Sequence, residues 1–270
     1  MDLKLFKFVQ KDTILVLMIE SPLNLKTPPI IEAVLDIECD LPPSLKMTEM
    51  EAKARKELNK GYPKFRHIYI QEHQLEAKID EPPKLSIREG VQGLQFIHKD
   101  GKQVVQFRGQ GFSFNRLAPY TSLDKYLPQI KKAWTTYVQL ASPVRIRLIR
   151  LRYINRILLP LVDGRVNIDD YFLNRPKLAD EERFKLLGFL NQYSAVDIKT
   201  GNQINSVLTA QTPEGDNLPI IFDNSALSIE DVEPENWIHI RSKILELRLL
   251  KNHTFTNTLS KICLNQYQQL

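Results

Sequence analysis

"RIRLIRLRYINR", residues 145–156, places five arginines in twelve positions with no acid among them. Read as a strand, it alternates. Ile149, Leu151, Tyr153 and Ile157 fall on one side, and Arg150, Arg152, Ile154 and Arg156 on the other. The first side is a core face, the second a basic one. Upstream the pattern inverts, with Ile146 and Leu148 against Arg145 and Arg147, so a bulge or twist is expected near 148–149. A register that buried the arginines together would cost roughly several kcal/mol for each unpaired charge.

The flanking sequence surrounds this strand with a recurring order of elements. "TPPIIEAVLDIECDL" (27–41) reads as a strand entered through a double proline. "SLKMTEMEAKARKELNKGYP" (44–63) reads as a helix, with Thr48 and Glu51 spaced as a capping box and Gly61 and Pro63 as its stop. "HIYIQEHQLEAKI" (67–79) is a further strand. "QGLQFIHKDGKQVVQFRGQGFSFNR" (92–116) is a hairpin turning at Asp100-Gly101, with a bulge expected at Gly109 and Gly111. "SLDKYLPQIKKAWTTYVQLAS" (122–142) has apolar residues at helical spacing, and Pro128 limits where that helix can begin.

After the arginine-rich strand come a short helix in "NIDDYFLN" (167–174) capped by Asn167, and strands in 194–201, 205–213 and 217–229. The closing helix over 236–250 carries the stripe Trp237, Ile240, Ile244 and Leu247. The fold expected is α+β: two tandem β-α-β-β-β-α halves forming curved antiparallel sheet, with helices on one face. The halves are 26–142 and 143–270, after an N-terminal extension over 1–25. By analogy of element order alone, the arrangement is like that of the TATA-binding protein. A plain two-domain α+β protein divided near 141–144 is the alternative.

Three stretches, "PPIIEAVLDIEC" (28–39), "FSFNRLAPYTSLDKYL" (112–127) and "RLIRLRYINRI" (147–157), resemble the signature blocks of a sporadically distributed, uncharacterised bacterial and archaeal family. The resemblance covers roughly residues 25 to 260. It implies a prokaryotic source and a toxin–antitoxin or defence context, and no functional residue.

The 270 residues are 43% hydrophobic and 26% charged, with a net charge of +5, as in ordinary soluble proteins able to bury a sizeable core. Two cysteines, 39 and 263, lie far apart outside any CxxC spacing, which points to a reducing, cytoplasmic compartment. The apolar run Ile14–Ile19 is too short to span a bilayer and reads as an edge strand or tail, so no membrane role is expected.

Motifs for catalysis are missing. His67 and His73 sit six residues apart, roughly 20 Å along a strand, and cannot share a metal. No metal site and no cofactor are expected. "GQG" at 109–111 lacks the helix and lysine of a phosphate loop, and "NSALS" is no nucleophile elbow.

That leaves the arginines. Arg150, Arg152 and Arg156 either pair with acids such as Asp36, Glu38 or Glu76, or form an exposed basic face. In the second reading Arg108 and Arg116 extend the face and Tyr69 or Phe114 floors it, as in sheets that hold nucleic acid. The function expected is a non-catalytic binding protein for a protein partner or nucleic acid, alone or as a homodimer. A metal-independent, nuclease-like hydrolase assembled from His98, Arg150 and Tyr153 is the alternative.

Overall fold

Proline cannot donate to a β-ladder, and the first strand begins directly after the double proline as β1 (Ile30–Asp40). A computed structural model describes the chain over residues 23, 25–78, 81–174, 183–184 and 188–267, and the side chains of 70–89 lie outside that description. The run Ile14–Ile19 also lies outside it. After β1 come helix α1 (Met47–Leu58), strands β2 (Lys64–Lys78), β3 (Glu81–Ile97), β4 (Gln103–Arg108) and β5 (Gly111–Leu117), and helix α2 (Leu123–Ala141). Strand β6 (Arg145–Pro160) is the arginine-rich stretch. A 3-10 turn at Ile168–Asp170, strands β7 (Leu190–Val196), β8 (Gln203–Ala210) and β9 (Asn217–Val232), and helices α3 (Trp237–Thr258) and α4 (Lys261–Asn265) complete the order.

The nine strands of the described residues join one antiparallel sheet in the order β2-β3-β4-β5-β1-β6-β9-β8-β7. Its centre is the β1·β6 pair, in which Leu35 faces Leu151 and Ile37 faces Ile149. The bulge expected in β6 lies at Arg147: the register with β9 shifts between Ile146 and Leu148, and that with β1 between Glu38 and Cys39. This slip lets Ile146 and Ile149 both point inward, each fully buried.

One expectation fails at Gly109 to Gly111. These glycines mark a tight turn between two strands, β4 and β5, where a bulge in one long arm was expected. Gly111 has φ +139°, and a Cβ there would lie 2.0 Å from the Ile37 carbonyl oxygen. Glycine is needed at that crossing for its missing side chain. Among the described residues the first half thus has five strands and the second four, so their element orders there are not identical.

Helices α1, α2 and α3 pack on one face, where a single core joins Ala54, Trp134, Tyr137, Ile240 and Ile244 to Leu35, Phe96, Phe112 and Leu151. Ser122 caps α2 through Lys125 N, and Pro128, six residues on, lies inside the helix, where it has no N–H to give the Asp124 carbonyl. Thr48 does not cap α1. That helix begins at Met47 without a side-chain cap, and Glu51 turns to His67 on β2 at 2.8 Å. A second, smaller core gathers Ile157, Leu159, Phe172, Phe222 and Phe255 at one end of β6. No helix among the described residues is long and apolar enough to cross a membrane.

Candidate functional site

Strand alternation places Arg150, Arg152 and Arg156 on the sheet face away from the helices, and each meets an acid there. Arg150 lies 3.9 Å from Asp36 and 3.6 Å from Glu38. Arg152 grips Asp223 with two bonds, of 2.8 and 2.5 Å, and this contact raises its affinity for its proton. Arg156 reaches Glu214 at 2.5 Å, and Arg108 on β4 reaches Asp36 at 2.9 Å. The other two arginines of the stretch follow suit, Arg145 with Glu233 and Arg147 with Asp40.

Arg116 does not extend this face. It is registered with Ala33 on the helix side, 2.5 Å from Asp100 and 5.4 Å from the Tyr126 ring. Phe114 is in the core, and Tyr69 sits beside His67 on the helix side, so neither floors the arginines. The trio His98, Arg150 and Tyr153 is not assembled either. Arg150 and Tyr153 point to opposite faces of one strand, and His98 pairs with Asp100 in the β3–β4 turn. The side chains of Glu76 and His73 lie outside the described residues. Among the described residues no three His, Cys, Asp or Glu side chains cluster as metal ligands.

A different site appears where the two cores meet. On the helix face of β6 the apolar series Ile149, Leu151, Tyr153 breaks at Asn155 before Ile157 resumes it. The series of β9 breaks at Asn224 between Phe222 and Ala226. The stripe of α3 breaks at Lys251 between Leu247 and Phe255. Tyr153 is registered with Asn224, and Asn155 with Phe222, so the breaks fall side by side. They form a polar seam between the two apolar clusters.

A cavity of about 210 Å³ opens along this seam. Strand β6 contributes Tyr153 and Asn155, and α3 contributes Arg248, Lys251, Asn252 and Phe255, one helical face. The segment entering α2 adds Tyr120 to Asp124, and the approach to β1 adds Pro28 to Ile30. All three stretches singled out in the sequence, 28–39, 112–127 and 147–157, therefore reach its wall.

Lys251 is the unusual member. It is only 4% exposed, its Nζ sits 3.8 Å from the Tyr153 ring centroid, and it donates to Asn252 Oδ1 at 2.9 Å. No carboxylate among the described residues pairs with it. Burial, with Arg248 nearby, lowers its pKa to about 7. The Tyr153 hydroxyl contacts that of Tyr120 at 2.6 Å, so one donates and the other accepts; burial pushes Tyr153 up to about 12 and Tyr120 higher still. Arg248 donates from Nη1 to Asp124 at 2.7 Å, while its buried Nε has no partner among the described residues. Asn224 Nδ2 holds the Lys251 carbonyl at 3.0 Å.

Apart from Tyr153, named from sequence only in the hydrolase alternative, none of these cavity residues was expected to be functional. The signal was present in each element as one polar residue in an apolar series, and it gains meaning only when the three series lie side by side. Comparison of the chain with family models, with curated proteins and with solved structures finds no match in any of the three.

Proposed function

We propose that the protein binds a small anionic molecule in the seam cavity, with Lys251 and Arg248 as its cationic contacts and the Tyr120–Tyr153 pair as its hydroxyl contact. The observation that carries this reading is a buried ammonium group, without a carboxylate among the described residues, lining an open cavity. Elsewhere in the molecule buried or half-buried cations are matched by acids, so an unmatched one costs stability that a bound anion would offset. At about 210 Å³ the cavity is smaller than the roughly 300–1,000 Å³ of sites for drug-sized ligands, so its occupant is small. The arginine face supports nucleic-acid binding less well, because its charges are already taken up by Asp36, Glu38, Asp223 and Glu214.

The same proposal treats the chain as an internal duplication. Counting outward from the β1·β6 pair, each half sets its first strand at the centre and its last strand next to it, which supports descent from one unit. Superposition of the halves on matched strands measures that point.

Titration with pyruvate, lactate and inorganic phosphate, followed by thermal denaturation, tests the cavity. A ligand that binds only the folded chain raises the melting temperature with its concentration. The shift should vanish in Lys251→Met and persist in Arg152→Ala. Failure of all three anions to shift the melt would sink the reading.

A further inference from the structure

The cavity suggests chemistry as well as binding. A lysine that is desolvated and set near another cation is a nucleophile toward carbonyl carbon, because much of it is uncharged near neutral pH. Lys251 has both features, a buried position and Arg248 one turn earlier on the same face of α3. Its Nζ lies over the Tyr153 ring, whose hydroxyl is bonded to that of Tyr120. Arg248 keeps a buried Nε–H without an acceptor among the described residues, while its Nη1 is held by Asp124. An amine, a spare guanidinium donor and a paired hydroxyl thus border one small cavity.

Resting on the reading of this cavity as an anion site, we infer that Lys251 captures a 2-oxo acid as an imine, with the carboxylate held by Arg248. The Nζ lone pair attacks the keto carbon, and the carbonyl π electrons move to oxygen. A proton passes from nitrogen to that oxygen to give the carbinolamine. The C–O bond then breaks, with the oxygen leaving as water after taking a proton from the Tyr120–Tyr153 pair. The nitrogen lone pair closes the C=N bond, and the nitrogen's remaining proton returns to the tyrosine oxygen. The balance is amine plus ketone giving imine plus water, with no change of oxidation state and no co-reactant.

The groups facing Lys251 are Arg248 from its own helix, Tyr153 from β6, and Tyr120 and Asp124 from the segment entering α2. Tyr153 and Tyr120 hold their protons through the neutral range. Lys251 is therefore the group whose charge sets the pH dependence of capture near neutrality.

The test is reductive trapping on the full chain. The protein is incubated with pyruvate, treated with sodium borohydride, and read by intact mass and peptide mapping. One reduced pyruvyl adduct is expected, on Lys251, forming faster than on exposed lysines by on the order of a hundredfold at neutral pH. On the acid side of its pH profile, labelling should be half-maximal near 7, where an ordinary lysine would titrate near 10.5. Because the site is mapped on the wild-type chain, the result does not depend on a variant folding. Lys251→Arg serves as the second check and should lose the adduct. Lactate shares the carboxylate and lacks the ketone, which separates the two readings. If lactate and pyruvate both raise the melting temperature and no adduct forms, capture is wrong and anion binding stands. If none of pyruvate, lactate and phosphate shifts the melt and no adduct forms, both fall. Labelling spread evenly over surface lysines would also overturn capture.

Discussion

The two faces of strand β6 treat positive charge in opposite ways. On the face away from the helices, Arg150, Arg152 and Arg156 stand within 4 Å of acids from β1, β9 and the turn before β9. On the helix face, Lys251 rests against Tyr153 with a neutral amide as its hydrogen-bond partner. The first arrangement is cross-strand pairing of the kind that fixes register in a sheet. The second keeps a cation where water is excluded, which desolvation opposes. A run of arginines is the louder feature of the sequence, but matched charge speaks mainly of structure. The buried Lys251, unmatched by a carboxylate among the described residues, is where the molecule holds uncompensated chemistry.

The comparison is broken most directly at Asp36. This carboxylate is 9% exposed and takes Arg108 at 2.9 Å and Arg150 at 3.9 Å. Asp36→Ala would leave two guanidinium groups facing one another at the middle of the sheet. A loss of about 3 kcal/mol in urea unfolding is expected, the lower end for breaking a buried pair. An unchanged midpoint would mean that water serves these arginines and that the face is not internally matched.

Arg152→Ala should cost less, about 1–2 kcal/mol, because the Arg152 side chain is 43% exposed and solvent screens part of its bond to Asp223. Adding Arg150→Ala should lower stability further and leave any RNA or DNA affinity and its salt slope unaltered. Loss of binding with an intact melting temperature would restore the basic face as the functional one.

Much of β6 was legible because alternation is a local rule. Ile149, Leu151 and Tyr153 are buried as their spacing requires, and the slip near Arg147 follows from the inverted pattern upstream. The α3 stripe was legible for the same reason: Ile240, Ile244 and Leu247 are fully buried. The β4–β5 turn was not, because a glycine pair serves a bulge and a tight turn equally well. Only the close approach of Gly111 to Ile37 distinguishes them. Asp36 and Glu38, named from sequence as acids for the arginines, do stand beside Arg150, but Asp223 and Glu214, which take Arg152 and Arg156, lie far away in sequence, where no local rule assigns them. The seam is illegible for a stronger reason. Asn155, Asn224 and Lys251 each look like an isolated polar residue until strand register and helix packing bring them together.

The smallest effect expected at neutral pH is the one that sharpens the contrast most, and it lies at Lys251. In the unfolded chain this amine titrates near 10.5, and in the folded protein near 7. Between those values the unfolded chain binds more protons, so wild-type stability should rise as pH increases from about 7 toward 10.5. Below 7 both states carry the charge, and the full cost of burying it remains. Lys251→Met keeps the unbranched shape and removes the titrating group. It forfeits the contact with the Tyr153 ring and the bond to Asn252, and it relieves the desolvation of the ammonium. A net gain of about 1 kcal/mol at neutral pH is expected, within the range seen when buried charge gives way to apolar side chains. Urea midpoints for the two proteins across this pH window give the answer by difference. The wild-type curve should climb relative to that of the variant, and cross it, as the lysine sheds its proton. Parallel curves would show that Lys251 keeps an ordinary pKa, that some group matches its charge, and that the two faces of β6 do not differ as described.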